Sequence, residues 1–99
     1  MLAKKKKFEK KRKTPRQMER HLKGVANHRR IEILFIIDNE DGITLDGICE
    51  TLDGNIKTIS EHTKKLAQAG LINKARQGRE VGHSLSPYGK RFLQFIKTF

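Results

Sequence analysis

The sequence predicts a mainly α-helical domain that carries one small β-hairpin near its C-terminal end. Three observations lead there. Apolar residues recur every three or four positions in five segments, and each segment opens on a Thr, Asn or Ser. Two of these segments are short and are joined by a tight turn at Asp53-Gly54. After Gly70 the apolar period falls from about 3.6 to about 2.

The first helix starts at Thr14-Pro15, a capping hydroxyl followed by Pro at the first helical position. It carries Met18, Leu22 and Val25 along one side, with Gly24 as its expected stop or kink. The second helix spans Asn27 to Asn39. Its Ile31, Leu34, Phe35 and Asp38 mark one face, which Ile33, Ile36 and Ile37 widen, so it is expected at the centre of the core. Asn39-Glu40-Asp41-Gly42 is a loop. Thr44 caps a third helix bearing Leu45, Ile48, Cys49 and Leu52 on one side. Asn55 caps a fourth, with Ile56, Ile59, Thr63 and Leu66 facing inward and Gly70 just past its end. Residues 71–76 and 80–85 read as two strands around a turn at Gln77-Gly78. Ser86-Pro87 opens a last helix with Tyr88, Phe92, Phe95, Ile96 and Phe99 at helical spacing. Two short helices joined by a tight glycine-containing turn are a helix-turn-helix, and the hairpin that follows directly makes it winged. A winged helix-turn-helix is therefore the fold expected for residues 14–99. Residues 1–13 are expected to form a disordered basic tail, because like charges repel there and little apolar surface is available for burial.

The charge is unevenly placed. The chain carries a formal +11 over 99 residues, which points to a polyanionic partner, nucleic acid first and an anionic membrane surface second. Residues 1–30 hold thirteen Lys or Arg against two acids. Residues 31–56 hold seven acids and no Lys or Arg, and residues 57–99 are basic again. The longest wholly apolar run, Ile33 to Ile37, is far too short to span a bilayer, and no apolar stretch follows the basic start as a secretory signal requires. The single cysteine, Cys49, fits a reducing compartment and, on an apolar face, is expected to pack rather than react. The expected setting is cytoplasmic, at the nucleoid of a prokaryote. No membrane partner is expected.

The helix starting at Asn55 is the expected reading element. A helix that enters the major groove needs a donor-rich outer face and an apolar inner one. Lys57, Ser60, Glu61 and Lys64 face out, with Thr58 near the start. Lys57 can donate to guanine, Glu61 can accept from cytosine N4, and Ser60 can do either. Thr58 and Lys64 suit phosphate, as does the helix N-terminus at Asn55. The hairpin brings Lys74, Arg76 and Arg79 around Gly78, a basic tip suited to phosphate or the narrow minor groove. Lys10, Lys11, Arg12 and Lys13 of the tail are expected to lie on phosphates as an arm. His62 is expected beside the reading face and His83 on the hairpin.

The residue pattern resembles the ArsR-like winged helix-turn-helix transcription regulators over roughly residues 25–90. His28-Arg29-Arg30-Ile31-Glu32-Ile33-Leu34 is similar to that family's PTRLRIL helix, and residues 58–66 to its TVSHHLKRL. Ala69-Gly70-Leu71-Ile72, Gln77-Gly78-Arg79 and residues 83–89 resemble AGLV, EGR and YSLTPEG. The resemblance implies a homodimeric repressor whose first and last helices form the interface. Met18, Leu22, Phe92, Phe95, Ile96 and Phe99 are the residues expected there, and they are a heavy apolar load for terminal helices of a small domain. The family's metal-sensing cysteines are missing: the start of the third helix reads Thr44-Leu45-Asp46-Gly47. The last helix has no histidine or carboxylate, and His21, His28, His62 and His83 form no i, i+4 pair, so neither a metal nor another cofactor is expected. No small-molecule effector is identifiable. No nucleophile–base arrangement or phosphate-cradling loop is present either, so an enzyme is not expected. The sequence-specific regulator stands against two alternatives: an architectural nucleoid protein that coats DNA, and a winged helix that contacts protein or RNA.

Overall fold

The computed structural model describes residues 12–99. Among them the elements run α1 (Pro15–Val25), α2 (His28–Asn39), β1 (Ile43–Thr44), α3 (Leu45–Leu52), α4 (Ile56–Gln68), β2 (Ile72–Gln77), β3 (Glu80–Leu85) and α5 (Pro87–Thr98). Each helix begins where a side chain accepts from its orphan N–H groups. Thr14 Oγ1 accepts from the Gln17 N–H while Gln17 Oε1 accepts from the Thr14 N–H, closing a capping box. Asn27, Thr44, Asn55 and Ser86 cap the other four. This is the mainly helical, winged helix-turn-helix architecture the sequence predicts.

The core is built on α2. Ile33, Leu34 and Ile37 have essentially no exposed surface, and Ile48, Ile59, Leu66, Leu71 and Leu93 close around them. The expected face of α2 needs correction: Phe35 is 39% exposed and Asp38 lies outside, paired with Lys97 at 2.9 Å. A helix apolar from Ile33 to Ile37 has no contrast from which to read its inner side, so its neighbours select it. Cys49 packs half-buried against this core, and burial together with Asp46 pushes its thiol pKa up. The thiolate needed for reactivity is thereby disfavoured.

Gly24 does not end α1, which continues through it to Val25. It permits a close approach instead: a Cβ there would collide with the Ala69 Cβ at the end of α4. In the turn between α3 and α4, the left-handed residue is Asp53 (φ 52°), a short polar side chain that tolerates this region. Gly54 is small for another reason, since a Cβ would meet Ile59 at 2.9 Å.

The sheet is antiparallel with strand order β1-β3-β2. β1 is not predicted by the sequence: two residues, Ile43 opposite His83 and Thr44 opposite Gly82, tie the loop before α3 to the base of the hairpin. β2 is the outer strand and starts one residue later than the expected 71–76. Ile72 is its single buried residue, and residues 73–77 are exposed on both faces. The outer strand and the tip thus stand off the body while β3 is buried at Gly82, His83 and Leu85, so the sequence alternation of β2 does not become an alternation of burial.

Candidate nucleic-acid interface

α4 is held from inside and open outside. Ile59, Thr63 and Leu66 are buried, and the Thr63 hydroxyl donates to the Ser60 carbonyl at 2.9 Å. Lys57, Thr58, Ser60, Glu61 and Lys64 are all exposed. Asn55 is exposed too, but its Oδ1 accepts from the N–H groups of Lys57 (2.8 Å) and Thr58 (3.3 Å). Its amide NH₂ remains as the outward donor. Ile56 departs from its expected inward position and is 50% exposed. As the first residue of α4 it lies beyond the end of the core that Ile59 reaches.

A set of polar contacts that sequence reasoning missed fixes how α4 sits. The His21 ring Nδ1–H donates to the Ala69 carbonyl at the end of α4. The Ser86 hydroxyl donates to the Gly70 carbonyl at 2.6 Å. Arg30 Nη1 donates to the Gly24 carbonyl and its Nε donates to His62 Nδ1, both at 3.2 Å. His62 is therefore half-buried and turned toward α2 rather than displayed beside the reading face. These partners are 16 to 48 residues apart or belong to different helices, so no local spacing announces them. His83 lies on the hairpin, in β3, as expected, but is 2% exposed, donating from Nδ1 to the Ile43 carbonyl at 2.8 Å across β1 and β3.

Both histidines are held below the ordinary value of 6.5. Burial is the main cause at His62, followed by Arg30, Arg29 and His28; burial also dominates at His83, with a smaller contribution from Lys74. The unfolded chain then binds more protons than the folded one once pH falls below about 6.5, so stability should decline between about pH 7 and pH 5. Denaturant midpoints across that range check this, and a His62→Gln, His83→Gln variant should show a flatter profile.

The hairpin places Lys74, Arg76 and Arg79 in solvent around Gly78, whose φ is +67°. Of the expected arm, Lys10 and Lys11 lie outside the described residues. Arg12 is exposed, and Lys13 Nζ sits 3.9 Å over the Tyr88 ring of α5. Asp46, Glu50 and Asp53, on and just after α3, are exposed acids.

The residues expected at a dimer interface divide into two groups. Phe92 and Ile96 pack partly on their own core. Met18, Leu22, Phe95 and Phe99 are 39%, 53%, 59% and 96% exposed. Met18, His21, Leu22, Tyr88, Phe92 and Phe95 line a groove of about 590 Å³ between α1 and α5. Among the described residues no group of His, Cys, Asp and Glu could hold a metal ion, and no helix is long and apolar enough to cross a membrane.

An anchored second helix with an exposed polar face, preceded by a tight turn and followed by a hairpin, defines a winged helix-turn-helix protein. The chain belongs to the MarR family, whose model matches residues 26–79. Comparison with curated proteins finds no match. The fold is similar to the homodimeric winged helix-turn-helix DNA-binding domain of a possible ArsR-family transcriptional regulator from Mycobacterium bovis. That likeness has a TM-score of 0.76 at 23% identity and covers 83% of this chain and 76% of that one. It is also similar to the transcriptional repressor PagR of Bacillus anthracis (TM-score 0.74, 21% identity, 82% and 93% covered). The transcriptional regulator HlyU from Vibrio vulnificus matches over 99% of this chain and 97% of that one, with a TM-score of 0.73 at 21% identity. At these identities the likeness establishes the fold. Family and neighbours are transcription regulators rather than enzymes.

Proposed function

We propose that this chain is a sequence-specific double-stranded DNA-binding repressor of the ArsR-like type, acting as a homodimer. The observation that carries the reading is α4 itself: Ile59, Thr63 and Leu66 bind it to the core while Lys57, Ser60, Glu61 and Lys64 stand in solvent. Those side chains reach base edges in the major groove, with Asn55, Thr58 and Lys64 also near phosphate. Lys74, Arg76 and Arg79 of the wing lie on phosphates or in the minor groove. Residues 1–13 act as an arm, with Lys10, Lys11, Arg12 and Lys13 on the backbone, and residues 14–99 form the domain. Two copies meet through Met18, Leu22, Phe92, Phe95, Ile96 and Phe99. The homodimeric Mycobacterium bovis domain and the repressor PagR support the assembly and the direction of regulation. The ArsR-like motifs at residues 28–34 and 58–66 support the finer assignment within the fold. The protein works in the cytoplasm on nucleoid DNA.

Selection of binding sites from a random duplex library tests the proposal. The expected product is a pseudo-palindrome with half-sites about one DNA turn apart. Lys57→Ala should leave folding intact and relax discrimination at one base pair per half-site by about 1–3 kcal/mol. If random duplex competes as well as any selected sequence, the protein coats DNA rather than reading it.

A further inference from the structure

Ile56 is a large apolar side chain in a place where the surrounding chemistry is cationic and polar. It opens α4, is 50% exposed, and is absent from the residues that pack on the core. Ser60, four positions on, lies on the same flank of the helix, and Lys57 follows directly. Ile56 therefore stands in solvent at the N-terminal end of α4, beyond the core, on the flank between the buried row of Ile59, Thr63 and Leu66 and the outward face that begins at Ser60. The other exposed large apolar residues of the described chain lie elsewhere: Phe35 on α2, and Met18, Leu22, Tyr88, Phe95 and Phe99 on or after α1 and α5. Lys57, Lys64 and Lys65 around the same helix select a polyanion as occupant and disfavour an apolar protein surface.

Within a DNA major groove, the apolar group on the base edges is the C5-methyl of thymine. We propose that Ile56 is a specificity-determining residue that packs on a thymine methyl at the edge of each half-site. The inference rests on the reading of α4 as the DNA-reading helix. A β-branched side chain is well suited to such a contact, because it has few rotamers to lose on making it. Asn55 fixes the backbone beneath it by bonding the next two N–H groups. Lys57, Ser60 and Glu61 offer hydrogen bonds to polar base atoms. None of them distinguishes thymine from uracil, which differ by that methyl alone.

The test uses the full chain and a duplex recovered by library selection. Each thymine is replaced in turn by deoxyuridine, and dissociation constants are measured for the wild type and for Ile56→Ala. One replacement per half-site should weaken the wild type about fourfold, the equivalent of one buried methyl or methylene. The same replacement should leave Ile56→Ala unchanged. Tolerance of deoxyuridine at every position overturns the inference while leaving the DNA reading intact. So does a methyl preference that persists in Ile56→Ala. Recovery of no preferred duplex overturns the DNA reading, and this inference with it. Ile56→Ala removes exposed surface outside the core, so the melting temperature should stay near that of the wild type.

Discussion

Leu66→Ala is expected to cost about 2–5 kcal/mol of folding stability. Leu66 has no exposed surface and sits in the last turns of α4, where that helix meets α1, α2 and β2. Truncating it removes buried methyl groups and leaves a cavity that neighbours from several elements cannot all collapse into. Domains of this size hold a margin of about 5–15 kcal/mol, so a large share of it goes. Denaturant unfolding measures the loss directly. Leu66→Met, which nearly conserves volume, should cost less than about 1.5 kcal/mol. Equal losses for the two variants would show that Leu66 is not filling a close-packed site. Leu66 does not touch the outward face, so duplex binding by Leu66→Ala should track the fraction folded.

A Leu22→Glu, Phe95→Glu variant is expected to be monomeric. Both side chains are more than half exposed and line the groove between α1 and α5, so their replacement leaves the core of the subunit intact. Two copies meeting there would have to desolvate four new carboxylates, and although Arg12, Lys13 and Arg91 also line the groove, burying that much charge opposes association. Loss of the proposed dimer would also disconnect its two α4 helices. Affinity for a two-half-site duplex should then fall about 10²–10⁴-fold, the gain that linked binding normally supplies. Analytical ultracentrifugation and duplex titration report the two effects separately. A variant that sediments as a dimer, or a monomer that binds the full site as well as the wild type, would refute the assignment of this surface.

The helices were legible because their ends are written in side chains. Thr14, Thr44 and Asn55 carry cap acceptors, and each bonds the N–H groups that its position predicts. The inner face of α4 was legible from Ile59, Thr63 and Leu66, since three residues at helical spacing fix a direction. Ile56 broke the pattern because periodicity gives an angle around a helix but not whether the core extends that far along it. β1 was invisible for a related reason: two residues have no period, and the pairing of Ile43 with His83 depends on a strand 40 residues away. The lattice of His21, Arg30, His62 and Ser86 was hidden because a polar residue between apolar ones reads as surface until its distant acceptor is known. That Lys57, Thr58, Ser60, Glu61 and Lys64 of α4 and Lys74, Arg76 and Arg79 of the wing stand in solvent followed from residue type and spacing, so their exposure could be named before their placement.

The outer strand of the wing carries a further consequence. β2 pairs with β3 on one side, and an unpaired row of backbone groups on the other is a template for a strand from another molecule. Lys74 and Arg76 stand along that strand, exposed, with Arg79 at the tip. Two such edges approaching one another bring like charges together before any ladder forms. The basic wing thus guards against self-assembly into sheets as well as favouring an anionic surface, and charge removed from it to weaken one kind of contact unmasks the other.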